Sequence, residues 1–167
     1  MAVAKETYQS LVTALSAQQV TLIAVSKTKP VSDIQELYAL GQRDFGENYV
    51  QELVEKQAQL PLDIRWHFIG HLQSNKVKYI APFVHLIHGV DSVKLAKEID
   101  RQAQKNARNI NFLWQVHIAR EETKFGLDEQ ELKAIFQDTD LQKSLTRSRC
   151  QGFMGMASFS DDKELVR

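Results

Sequence analysis

Lys27 stands at the end of the apolar run TLIAVSK, residues 21–27, with Thr28, Lys29 and Pro30 directly after it. A lysine at the end of a buried strand is costly unless its ammonium is paired or neutral. Desolvation favours the neutral amine, which is the form that attacks an aldehyde. Strand alternation puts Lys27 on the side of Ile23 and Val25. On position alone, a side chain that snorkels to solvent is the better explanation of Lys27. Other apolar runs also end in polar groups. Gly46, Glu47 and Asn48 follow the second. Gly70, His71, Gln73, Ser74, Asn75 and Lys76 follow the third. Glu121, Glu122, Thr123 and Lys124 follow the fifth. In parallel α/β folds ligands gather at the carboxyl ends of strands, so these groups are the candidates for chemistry.

The remaining polar and reactive residues have plainer roles. His67, inside the third run, is expected to be a hydrogen-bonded core histidine. Ser74 can cap a short helix, whose first N–H groups could also receive an anion. His71, His85, His88 and His117 lack metal-ligand spacing such as H-E-x-x-H, so no metal site is expected. Trp66 and Trp114 fit core packing better than base stacking. Cys150 lies in an apolar run and is expected to be a buried, inert thiol. No phosphate-binding glycine loop and no nucleophile elbow occurs.

These groups need elements to position them. Tyr8, Leu11, Val12 and Leu15 recur at helical spacing. Ser32 and Gln35 have capping-box spacing ahead of Ile34, Leu37 and Tyr38, and Gly41 sits where a helix would end. Apolar runs predict strands at 21–27, 44–48, 64–70, 83–90, 110–118 and 150–157. Helices are predicted over 49–60, from Ser74 to Pro82, from Asp91 or Ser92 onward, and behind the capping-box pair Asp128 and Glu131. Strict alternation of strand and helix means parallel βα units. The chain is shorter than the ~200–250 residues of a usual barrel, so periodicity alone favours an open doubly wound sheet.

Composition sets outer bounds. The chain has 167 residues, 43% of them hydrophobic, enough for one compact domain with its own core. Its 21 basic and 21 acidic residues balance, which argues against a nucleic-acid binder or a polybasic membrane-surface protein. The start, MAVAKETYQS, is too polar for a secretory signal, and no apolar run approaches membrane-spanning length. A single cysteine allows no internal disulfide, which fits a reducing, cytoplasmic location.

Five stretches occur in order: LIAVSKTKP at 22–30, FGENYVQE at 45–52, WHFIGHLQSNK at 66–76, EETKFGL at 121–127 and GFMGMASF at 152–159. Together they resemble the pyridoxal 5′-phosphate (PLP) homeostasis protein family, which is related to the N-terminal barrel of alanine racemases. The resemblance implies one domain over 1–167, of the α/β (β/α)8 TIM-barrel type, here covering about six of eight βα units. It implies that Lys27 holds PLP as a Schiff base, with Asn48, His67 and Met154 lining the pocket. It further implies a carrier or regulator of the intracellular PLP (vitamin B6) pool and of amino-acid balance, with PLP-accepting enzymes as partners and a monomeric state.

No catalytic residue is assigned. Turnover of an amino acid needs a positioned base for the α-proton. Alanine racemases bring one from a second domain, and Lys124 is the only motif-borne candidate here. The alternative is a PLP-dependent amino-acid racemase-like enzyme. A non-catalytic scaffold and a PLP-free Schiff-base aldolase also stay open, as does exchange of PLP among Lys27, Lys29 and Lys124.

The family continues for two more βα units. These carry a Ser-x-Gly-Met-Ser stretch and an Arg-Ile-Gly-Thr stretch that resemble the phosphate cup and the pyridine-nitrogen partner. Neither occurs in this sequence. An open six-stranded sheet leaves two parallel edges unpaired, an aggregation hazard. For a chain that ends at Arg167, weak PLP binding and poor solubility are expected. One sharp urea transition together with a tight PLP titration would defeat that expectation.

Overall fold

The computed structural model describes residues 4–118 and 126–155. Its elements run α1 Lys5–Ser16, β1 Ala24–Val25, α2 Val31–Ala39, β2 Asp44–Glu47, α3 Val50–Gln57 and β3 Arg65–Phe68. A 3₁₀ turn, Ser74–Lys76, leads into α4 Val77–Ile80. Then come β4 Leu86–Val90, α5 Val93–Lys105, β5 Ile110–Val116, α6 Glu129–Gln137, α7 Thr139–Ser144 and β6 Ser148–Gly155. Strands and helices alternate along the described chain, the pattern of an α/β fold.

Local chemistry explains most boundaries. Ser92 caps α5 by accepting the Leu95 N–H, and Asp128 and Glu131 form a complete capping box on α6. Gly41 ends α2 with φ +101°, and the Gly41 and Gln42 N–H groups bond to the Tyr38 and Leu37 carbonyls, a Schellman closure. Two expected caps do not form. Pro30 precedes α2 and sets its entry, which puts Ser32 inside the first turn with no capping bond. Ser74 begins the 3₁₀ turn after Gln73, again with no side-chain cap.

All six strands pair in parallel, in the order β1-β2-β3-β4-β5-β6. A doubly wound sheet reverses its strand order at a switch point. Among the described strands the order never reverses, which is the winding of a barrel, so the preference drawn from periodicity and length gives way. Register defines two faces. Glu47, Phe68, Ile87, Phe112 and Cys150 form one row, facing the helices. Val25, Gly46, His67, Leu86, Asn111 and Arg149 form a row on the opposite face. The core lies on the helix side, where Phe45, Trp66, Phe68, Ile87 and Phe112 pack with Ile34, Leu53, Ile80, Leu95 and Ile99.

The edges differ from the sequence expectation. The run 21–27 contributes only the two-residue β1, and Val25 is 53% exposed rather than buried on both faces. Among the described residues, no strand pairs with the outer side of β1, so half of the expected cover is missing. Cys150 is likewise an exposed free thiol, not a buried one, because β6 is the other edge and bulges at Gly152, φ +148°. α7 was not foreseen.

One buried carboxylate anchors β6. Asp100 of α5 accepts the Arg147 and Ser148 N–H groups at 2.7 Å each and the Ser148 hydroxyl at 3.1 Å. D100A would strand these donors. It is expected to lower stability by about 3 kcal/mol in urea melts; a loss within error of zero would show that β6 does not depend on this contact.

Candidate functional site

Lys27 and Asn48 each lie two residues past the register pair Val25–Gly46, at the carboxyl ends of the adjacent strands β1 and β2. Lys27 is exposed. The desolvation expected for it is therefore absent, a consequence of its place beyond a short edge strand. The backbone on both sides of it is held from α3. The Ser26 hydroxyl donates to Glu47 Oε1 at 2.6 Å, and the Ser26 carbonyl accepts from Lys56 Nζ at 2.6 Å. The Thr28 N–H donates to Glu52 Oε1 at 2.6 Å. Lys56 Nζ also bonds Glu47 and Glu52 at 2.7 Å each.

The strand ends beside Lys27 are tightly drawn together. A Cβ on Gly70 would come within 2.3 Å of the Asn48 carbonyl oxygen, and one on Gly89 within 3.0 Å of the Gly70 carbonyl oxygen. Only glycine permits such approach. Within this pinched rim, Asn48 Oδ1 is shielded from solvent and has no hydrogen-bond donor among the described residues. Buried polar atoms rarely remain unpaired, and the neighbouring Glu47 Oε2 is a second such atom.

A second polar cluster lies nearer the amino ends of the strands. Arg65 forks onto Asp44, its Nε 2.7 Å from Oδ1. His67 Nε2 lies 3.0 Å from Asp44 Oδ1, and His67 Nδ1 lies 2.9 Å from His88 Nε2. A carboxylate only accepts, so His67 donates through Nε2 and accepts through Nδ1 from the His88 N–H. Burial raises the Asp44 carboxyl, but the bonds from Arg65 and His67 outweigh it and hold the group below its ordinary value. Burial lowers His67, against the pull of Asp44. Burial, and then the neighbouring His67, lowers His88 to about 4.

Asp44, His67 and His85 bring ligand-type atoms within 4.8 Å of one another. Both Asp44 oxygens are already engaged by Arg65, and both His67 nitrogens by Asp44 and His88. Asp44, Arg65, His67 and His88 thus form a hydrogen-bonded ladder.

Of the residues singled out from the sequence, Lys27 and Asn48 follow the ends of the paired strands β1 and β2. His67 sits one row lower, paired in register with Gly46 and Leu86. Met154 is half-buried on β6, in register with Gln115, and so on the far edge strand. Lys29 is exposed. Lys124 lies outside the described residues. Sequence reasoning missed Glu52 and Lys56. Glu52 lies inside FGENYVQE, and its i,i+4 spacing to Lys56 was the available signal.

Comparison with known proteins gives one consistent family. The model for the alanine racemase N-terminal domain matches residues 3–167. The chain is 41% identical over 138 residues to the pyridoxal phosphate homeostasis protein of Pseudomonas aeruginosa, covering 82% of this chain and 59% of that one. It is 38% identical over 157 residues to the human protein of that name, covering 89% and 56%. The chain thus spans roughly three fifths of the length of these curated relatives, 59% in the Pseudomonas case. The structure of PipY from Synechococcus elongatus, solved with PLP bound, superposes with TM-score 0.82 at 38% identity, covering 93% of this chain and 71% of that one. Alanine racemase from Clostridium difficile superposes with TM-score 0.72 at 14% identity, covering 97% and 43%, which shows a shared fold alone.

The histidine ladder gives a pH dependence with a definite sign. In the unfolded chain His88 takes up its proton near its ordinary value of 6.5, and in the folded chain only near 4. The folded state binds fewer protons in that window, so its stability is complete above the upper value and falls as pH drops toward the lower. The Asp44 contribution is lost only at still lower pH. H88N is expected to remove about one proton from the slope of urea stability against pH between about 6.5 and 4.5. An unchanged slope would show that His88 titrates alike in both states.

Proposed function

The chain belongs to the pyridoxal phosphate homeostasis proteins of the alanine racemase N-terminal domain family, and we propose that it binds PLP at the carboxyl ends of β1 and β2, held by Lys27. When bound, PLP would supply a reactive aldehyde, which Lys27 would hold and an incoming amine could take over. The unpaired, buried Asn48 Oδ1 beside an exposed lysine is the observation that carries this reading. Lys27, being exposed, meets both the cofactor and an incoming amine without a gating motion. Asn48 offers an acceptor whose burial makes an unmatched ligand costly there. Met154 would line the pocket from β6 with a soft, adaptable side chain. His67 would line its floor.

The same geometry favours holding over turnover. An enzyme acting on an amino acid needs a free base at the α-carbon. Asp44, His67 and His88 are bonded to one another and to Arg65, one row or more below the lysine. We therefore take the protein as a carrier or regulator of the PLP pool in the cytoplasm, serving PLP-accepting enzymes in vitamin B6 and amino-acid homeostasis, as one barrel-type domain over residues 1–167. None of the described helices is long and apolar enough to cross a membrane.

The test is a visible spectrum with PLP, then borohydride reduction and peptide mapping. A yellow band and a pyridoxyl group on Lys27, both lost in K27A, are expected, and N48A should weaken PLP binding by about tenfold. A colourless protein, or label scattered over surface lysines, would overturn the proposal. Interconversion of D- and L-alanine would replace the carrier by a racemase-like enzyme.

A further inference from the structure

Lys27 has an exposed side chain, so its aim is set by the backbone that carries it. Each flanking residue is fixed by α3 or by the end of β2. Ser26 is buried; its N–H donates to the Gly46 carbonyl at 2.9 Å, its hydroxyl donates to Glu47, and its carbonyl receives Lys56. Thr28 adopts φ +61°, a left-handed conformation that β-branched residues rarely take. Such a conformation persists only where surrounding contacts over-determine it. The contact here is the Glu52 carboxylate on the Thr28 N–H.

Lys56 ties these contacts together. Its side chain is 6% exposed and that of Glu47 is fully buried. An ammonium has three protons, and Lys56 directs its bonds to Ser26 O, Glu47 Oε1 and Glu52 Oε1. Burying such a cation is costly unless every proton is matched. The match here links the turn after β1 to the end of β2 and the first two turns of α3. Glu47 directly precedes Asn48, so one network fixes the exits of both strands that carry the proposed site.

We propose that Lys56, Glu52 and Glu47 are positioning residues for Lys27, which hold the 26–28 turn so that the lysine amine meets a PLP-class aldehyde in one orientation. The inference rests on the PLP reading above and adds what sets the selectivity of Lys27 over Lys29. Neither carboxylate nor the ammonium touches the ligand; they act through the backbone of Ser26 and Thr28.

Glu52 is the residue to vary, because its side chain is partly exposed and its removal leaves the Lys56–Glu47 pair in place. In E52A the Thr28 N–H loses its acceptor, whereas E52Q keeps a carbonyl oxygen there. Three measurements on the full chain separate the outcomes: thermal melting, hydrogen exchange at the Thr28 amide without PLP, and the share of borohydride-trapped pyridoxyl on Lys27 and Lys29. E52A is expected to melt as a folded protein, to exchange the Thr28 amide at least about tenfold faster, and to spread label from Lys27 to Lys29. E52Q should restore most of both properties. If wild type labels Lys27 and E52A does so with equal rate and selectivity, the positioning role is overturned while PLP binding stands. If wild type itself does not label Lys27, the PLP reading falls and this proposal with it.

Discussion

Parallel register in chain order is the constraint from which the candidate site follows. Side chains alternate with a period of two along each strand, and paired residues on neighbouring strands share a face. The pairs Val25–Gly46, Gly46–His67, His67–Leu86 and Leu86–Asn111 therefore make one continuous row on the face away from the helices. A slip of one residue in β2 would send Asp44 and Gly46 to the helix side and Phe45 and Glu47 away from it. Phe45 is fully buried in the core and would then lose its cover. Apolar burial thus fixes the register, and the register sets the carboxyl ends of β1 and β2 side by side.

Two polar systems occupy the two faces of that register, and they differ in kind. On the helix side, Lys56 and Glu47 form a buried pair that the partly exposed Glu52 joins. On the other face, Asp44 is charged, but His67 and His88 are held neutral by burial. Arg65 reaches Asp44 from a half-exposed position, so its cost of desolvation is small. The first system fixes backbone at the carboxyl ends. The second fills the sheet interior nearer the amino ends, with both Asp44 oxygens and both His67 nitrogens matched to a neighbour. A ligand at the carboxyl ends therefore does not need to break the ladder beneath it.

The elements were largely legible in the sequence, because each depends on local pattern. Leu95, Ile99 and Ala103 announce α5, and Asp128 with Glu131 announces the start of α6. Lys27 and Asn48 were legible because both end apolar runs. Burial at the edges was not. Val25 and Cys150 lie in runs as apolar as those of central strands, and their exposure comes from the absence of a described neighbour, which no local pattern encodes. Lys56 was not legible either. Within VQELVEKQ it looks like one more charge on a solvated face, and its burial follows from the carbonyl of Ser26, thirty residues earlier. The His67–His88 bond was within reach, since both residues lie at the same parity on adjacent strands.

The separation between the groups that hold and the group that reacts has a physical logic. If Lys27 accepts an aldehyde and later yields it to another amine, as proposed, ion pairs on its ammonium would compete with that exchange. Precision then has to come from the backbone. Backbone precision at the end of a two-residue edge strand cannot come from ladder bonds alone, because β1 has a partner on one side only among the described strands. Charge-assisted bonds from α3 supply the missing constraint, and they are stronger than the neutral ladder bonds they supplement. A left-handed threonine directly after Lys27 is the visible consequence, in a turn closed by the Lys29 N–H on the Ser26 carbonyl and braced by Glu52 on the Thr28 N–H.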